Sequence, residues 1–176
     1  MDALERYLCE MERVLRTLSR DEIRRAVGAL FDAWRWSKTT WITADGGVLA
    51  SYLADELHNV SVVRGQAALR VRRLAGQHDA ICAGDAVIAL LGSSDPNYVA
   101  RAIARAKEIG ALTVAFCGSP NGKHIEAVDF TVTVPAEQFA QREDAYAVVT
   151  HAIALALRER IEAHAVGSAN SEAVAG

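Results

Sequence analysis

The chain lacks the features that mark several large protein classes. Its cysteines, Cys9, Cys82 and Cys117, are only three in number and lie far apart. They form no metal-binding pattern and point to a reducing, cytoplasmic setting. Excess positive charge is also missing. With 19 basic and 22 acidic side chains the net charge is −3, which removes the electrostatic case for nucleic-acid binding. No apolar run approaches the ~20 residues that a membrane-spanning helix needs. The opening residues, MDALERYLCEMERV, are charged and helical in pattern and do not read as a signal peptide. There is no internal repeat, and no GxGxxG to support a dinucleotide-binding fold.

What remains is enough for one sizeable core in one domain. The chain has 176 residues, of which 51% are hydrophobic. Its most legible stretch is GDAVIALLGSSDPNYVARAIARAKEIGALTVAFCGSP, from Gly84 to Pro120. Residues 86–91 are an uninterrupted apolar run of strand length, as in a strand buried on both faces. The turn Gly92-Ser93-Ser94-Asp95-Pro96 follows, with Ser94 or Asp95 able to cap a helix and Pro96 suited to its first turn. Apolar residues at 99, 102, 103, 106 and 109 predict a helix over 98–109, closed by Gly110. Residues 112–117 then form a second buried strand, giving a parallel βαβ unit. The turn brings two hydroxyls and free backbone N–H groups to a helix N-terminus beyond a strand's carboxyl end. That suits Ser93, Ser94 and Asp95 to hold phosphate; the plainer alternative is that the serines only cap the helix.

Before this unit, two amphipathic helices are predicted, over 3–18 and from the Ser19–Glu22 capping box to about Trp36. Residues 39–43 read as a strand, Asp45-Gly46-Gly47 as a tight turn and 48–57 as a helix. Gly46 and Gly47 would let backbone approach a ligand, or simply make the turn. Residues 60–63 read as a strand and 67–74 as a short helix. Arg64, Arg70, Arg72 and Arg73 are either a solvated face or an attractor of a substrate anion. After the Asn121-Gly122 turn come a helical turn at 124–128, a last strand at 130–134 and a helix over 138–164. The tail, 165–176, is small and polar and reads as disordered. His58, His78, His124 and His164 show no ligand spacing and read as surface residues.

The order Gly-Asp, apolar strand, serine-rich turn, helix, Ala-Lys-Glu-Ile-Gly-Ala, strand resembles the SIS (sugar isomerase) domain of phosphosugar isomerases and phosphosugar-binding regulators. The likeness extends over roughly 4–163 and is clearest at 84–111. It implies an α/β fold: a five-stranded parallel sheet sandwiched by helices, Rossmann-like or flavodoxin-like, with the single domain at 1–164. The helices of 1–37 would lie at an oligomer interface, and a homodimer or homotetramer is expected. Within the family the chain is most similar to phosphoheptose isomerases, which interconvert sedoheptulose 7-phosphate and a heptose 7-phosphate through an enediol.

By that resemblance Glu56, in Ala54-Asp55-Glu56-Leu57, is the base and His151 the acid or proton shuttle. The two come from distant segments, so a site completed at a subunit boundary is expected. There are departures. Val48 stands where the family's serine would be, Tyr52 where its metal-binding histidine would be, and Glu143 where it has glutamine. No cofactor is required. The metal that the resemblance admits is zinc, on Glu56, Glu143 and His151, although the last two lie eight residues apart, about 12 Å along a helix. Two other readings stay open. One is 6-phospho-3-hexuloisomerase, whose usual Gly-Arg-Ser turn is absent. The other is a non-catalytic SIS protein that binds a sugar phosphate or a protein partner, like the replication-initiator-associating SIS protein of bacteria. Sequence leaves open which sugar phosphate is bound and what 64–83 does.

Overall fold

In the computed structural model the described residues are 2–44, 47–74, 76, 80–91, 96–118 and 128–175. The chain begins with two helices, α1 (Ala3–Thr17) and α2 (Arg20–Arg35). Asp2 and Glu5 form a reciprocal capping box on α1. At α2 only half of the expected box forms. Ser19 accepts the Glu22 N–H, but the Glu22 carboxylate turns away and accepts the backbone N–H of Thr133 at 2.7 Å. Thr133 lies on an edge strand, so Glu22 satisfies a donor that would otherwise face no partner.

Five strands form one sheet among the described residues: β1 (Thr39–Ala44), β2 (Arg70–Arg73), β3 (Ala86–Leu90), β4 (Leu112–Cys117) and β5 (Phe130–Thr133). All pairings are parallel, in the order β2-β1-β3-β4-β5. The order reverses between β1 and β3, so their carboxyl ends diverge there and open a crevice. Helices α3 (Gly47–Val60), α4 (Pro96–Glu108) and α5 (Phe139–Ala175) complete the fold. The α/β architecture expected from sequence is present.

Side-chain alternation along β3 divides the core. Ala86, Ile88 and Leu90 join a large cluster with residues of α2, α3 and α5, whereas Val87 and Ala89 face smaller clusters that include residues of α4. The amino ends of the strands are tied by two aspartates. Buried Asp85 accepts from the Thr39 N–H, the Trp41 indole N–H and the Cys82 N–H, each at 2.9 Å. Asp129 accepts from the Thr113 N–H and hydroxyl, both at 2.8 Å, and is paired with Lys107. Burial pushes its carboxyl up, but these donors outweigh burial and hold it below the ordinary value. At Gly110 the backbone is left-handed (φ 74°), which only glycine adopts without strain, and α4 closes there as expected.

Three expectations are corrected. Residues 60–63 are not a strand: α3 runs on to Val60 and the chain turns at Ser61. The second strand is Arg70–Arg73, where a short helix was expected. Its side chains have no apolar period, and backbone pairing with β1 decides its form, with buried Leu69 and Leu74 anchoring its ends. Its arginines are exposed, and Arg70 donates to the Ser37 carbonyl. The last helix runs on through 165–175 to Ala175, beyond the end at 164 expected for it. That stretch is rich in alanine, which favours helix, and no proline stops it. Among the described residues no helix is long and apolar enough to cross a membrane.

Candidate functional site

Helices α3 and α5 pack side by side, with Leu53 and Leu57 of α3 and Val149, Ile153 and Leu157 of α5 turned into the core. Glu56 and His151 flank these buried rows and meet across the seam. The imidazole Nδ1 of His151 and Oε1 of Glu56 are hydrogen-bonded to each other, joining residues 95 apart in sequence. One chain therefore brings them together, contrary to the expectation that a second subunit would be needed. The side chain of His151 is 52% exposed, and that of Glu56 22%.

The bond sets the chemistry of both groups. An ionised carboxylate only accepts, so Nδ1 carries the proton and Nε2 remains free to take or give one. The carboxylate also fixes the ring's orientation, as second partners of functional histidines do. One helical turn away, Leu49 and Tyr52 of α3 and Glu143, Asp144 and Ala147 of α5 line an open depression of about 540 Å³. Tyr52 is 53% exposed there. The first turns of α3 and α5 follow β1 and β5, so the depression lies at the carboxyl end of the sheet, where α/β folds bind ligands.

Glu143 faces this depression and does not join the pair. Among the described residues no three His, Cys, Asp or Glu side chains gather to hold a metal ion. Residues Glu56, Glu143 and His151 are thus not a three-ligand zinc site, because the continuous helix α5 keeps Glu143 two turns from His151. With Tyr52 replacing an imidazole, the donor set present does not fit zinc, and no step is derived through it.

Of the residues expected to hold phosphate, Gly47 begins α3 directly beyond β1. Gly46, Ser93, Ser94 and Asp95 lie outside the described residues, as do His78, His124 and all but Val128 of the helical turn expected at 124–128. His58 is more than a surface residue: its Nδ1 is 2.8 Å from the Leu69 carbonyl oxygen and helps to seat the chain entering β2. His164 contacts the rings of Phe31 and Trp34 edge-on, at 5.7 Å each.

Three tyrosines were missed. Tyr98, in the first turn of α4, donates to the Leu74 carbonyl at 2.6 Å and accepts the Gly76 N–H at 2.7 Å, binding the segment after β2 to the helix that follows β3. Buried Tyr146 places its hydroxyl 2.9 Å from the Leu91 carbonyl oxygen and 3.0 Å from that of Phe116. Its signal in sequence was slight: a lone tyrosine among alanines and valines on a buried helix face needs a hydrogen-bond partner. Tyr7 of α1 bonds to Asp144 beside the depression. That hydrogen bond, then burial and the carboxylate's charge, raises its phenol above the ordinary value.

No family profile matches the chain. A curated relative, the phosphoheptose isomerase of Clostridium acetobutylicum, is 30% identical over 70 residues, 40% of this chain and 36% of the relative. The chain thus spans little more than a third of that relative's length in the match. Among solved structures, a phosphoheptose isomerase from Francisella tularensis superposes with a TM-score of 0.76 at 14% identity, covering 89% of this chain and 94% of that one. The phosphoheptose isomerase of Neisseria gonorrhoeae gives a TM-score of 0.71 at 14% identity, covering 89% and 95%. The fold is that of SIS phosphosugar isomerases, and in sequence the chain resembles phosphoheptose isomerases.

Proposed function

We propose that the protein is an aldose–ketose isomerase acting on a sugar phosphate, with sedoheptulose 7-phosphate as the first substrate to test. The observation that carries this reading is the Glu56–His151 pair beside an open depression at the carboxyl end of the sheet. Glu56, whose Oε1 is engaged by the imidazole, uses Oε2 to take the proton from the carbon beside the carbonyl. The resulting enediol receives that proton on the neighbouring carbon. His151, held by Glu56, moves protons between the two substrate oxygens through Nε2. Every proton removed is returned, so the reaction so written uses no cofactor. The phosphate is assigned to Gly46, Gly47, Ser93, Ser94 and Asp95, by the pattern of a polar turn at a helix N-terminus. The likeness to phosphoheptose isomerases supports the substrate class.

The same reading places the protein in the cytoplasm and in a homodimer or homotetramer. Leu4 and Leu8 of α1 are 66% and 58% exposed, and a groove of about 690 Å³ between α1 and α2 is lined by Leu8, Met11, Leu15 and Ile23 among others. Light scattering should give a multiple of the chain mass, and Leu4→Glu with Leu8→Glu should reduce it; a monomeric wild type would contradict the assembly.

A second reading is a sugar-phosphate-binding protein without turnover. It is favoured by Tyr52, an exposed phenol in the depression where the resemblance implies a histidine. Turnover of sedoheptulose 7-phosphate followed by NMR separates the two. Steady conversion supports the enzyme; tight binding of a sugar phosphate without conversion supports the binding protein.

A further inference from the structure

Helix α5 sends two side chains, one turn apart, to the carboxyl ends of the central strands. Tyr146 reaches the carbonyls at the ends of β3 and β4, as described. Arg142 lies one turn earlier and stretches over Gly118, the residue that follows β4. A Cβ built on Gly118 would stand 2.8 Å from a terminal guanidinium nitrogen and 3.3 Å from Cδ of Arg142. Gly118 has no left-handed backbone that would demand glycine. The space a side chain at Gly118 would occupy is taken by the Arg142 guanidinium, which a Cβ there would push aside.

One donor of that guanidinium is unsatisfied. Arg142 is half-buried, and its Nε is closed to solvent without a hydrogen-bond partner. The neighbouring acids are directed elsewhere: Glu143 lines the depression and Asp144 holds the Tyr7 hydroxyl. Among the described residues no carboxylate pairs with Arg142. Keeping a cation partly out of water without a counter-charge costs free energy, and an arriving anion recovers it. The planar fork of arginine matches the oxygens of a phosphate. Its location, at the ends of β3 and β4, is where a parallel sheet receives ligands.

We propose that Arg142 is an anion-binding residue whose guanidinium takes the phosphate of the sugar phosphate, with Gly118 leaving it the space to do so. This rests on the sugar-phosphate reading above for the identity of the ligand, while the anion site itself is testable with inorganic phosphate. A charge-assisted contact of this kind contributes roughly ten- to a hundredfold in affinity. Calorimetric titration with inorganic phosphate and with sedoheptulose 7-phosphate should therefore show R142Q binding both roughly ten- to a hundredfold more weakly, with R142K intermediate. G118A, which crowds the guanidinium, should weaken binding in the same direction. As a check that needs no variant, phosphate should slow modification of Arg142 by phenylglyoxal in the wild-type protein, read by mass spectrometry.

The outcomes separate the two readings. Arg142-dependent phosphate binding without sugar turnover upholds the anion site and ends the isomerase reading. A wild type that isomerises while R142Q binds phosphate and substrate within twofold of it overturns the site and leaves the isomerase reading standing. No phosphate binding by the wild type, or no protection from phenylglyoxal, overturns the site.

Discussion

At the amino ends of the strands Asp85 accepts hydrogen bonds from three donors and Asp129 holds Thr113 and Lys107, so their acceptors are used up within the fold. At the carboxyl ends the polar groups are kept available. His151 is half exposed with one ring nitrogen fixed, and Arg142 Nε has no partner among the described residues. The contrast separates two kinds of polar residue that composition cannot tell apart. Groups that are fully bonded inside the fold stabilise it, and the groups left incompletely bonded at the ligand-receiving end are the ones to which the proposed function assigns a role, at some cost in stability.

Breaking the Glu56–His151 pair at the carboxyl end should have the largest effect, and on rate far more than on affinity. Glu56→Gln and His151→Ala should each lower turnover by about 10²–10⁴-fold, with substrate affinity changed much less. Because His151 is half exposed, H151A should leave the urea midpoint nearly unchanged. A variant that loses turnover only by unfolding would erase the distinction between the two ends. Effects of the two substitutions should also fall short of additive, since each removes the other's partner.

Breaking the amino end should act on stability alone. Asp85→Ala leaves three donors without their acceptor, two of them on backbone and one on the Trp41 indole. The loss should be on the order of 3–5 kcal/mol in urea denaturation, with kcat/KM of the protein that remains folded near the wild-type value. A loss below about 1 kcal/mol would show that Asp85 does not hold the strand ends.

Asp129 sharpens the comparison through pH, with a smaller effect. Burial pushes its carboxyl up, but hydrogen bonds from Lys107 and Thr113 outweigh that push and hold it below the ordinary value. A lowered folded-state pKa contributes stability that is fully present above the unfolded value of about 3.9 and is lost as pH falls through the folded one. Asp129→Asn should thus be less stable than wild type at pH 7, by roughly 1 kcal/mol, and the gap should close as pH drops below about 4. A gap that is constant from pH 7 to pH 3 would contradict the assignment.

What sequence made legible follows from how local each cause is. The β3-α4-β4 unit was readable because an unbroken apolar run, Pro96 and Gly110 each act on their own neighbourhood. The strand β2 was not, since four residues containing three arginines carry no apolar period and owe their form to pairing with β1. Helix α5 was read short because nothing in 165–175 starts or stops a helix strongly. Glu56 and His151 were named through a family resemblance, but their meeting depends on the packing of α3 on α5 and no spacing rule reports it. Arg142 was invisible, because a cation on a helix looks the same in sequence whether it faces water or a strand end.

The central claim is proton transfer at the carbon beside a sugar-phosphate carbonyl, and deuterium incorporation tests it most directly. Wild-type protein incubated with sedoheptulose 7-phosphate in deuterium oxide should place deuterium on that carbon, followed by NMR, and E56Q should slow the incorporation by about 10²–10⁴-fold. A wild type that binds a sugar phosphate and incorporates no deuterium into it would contradict the isomerase account and leave a binding protein in its place.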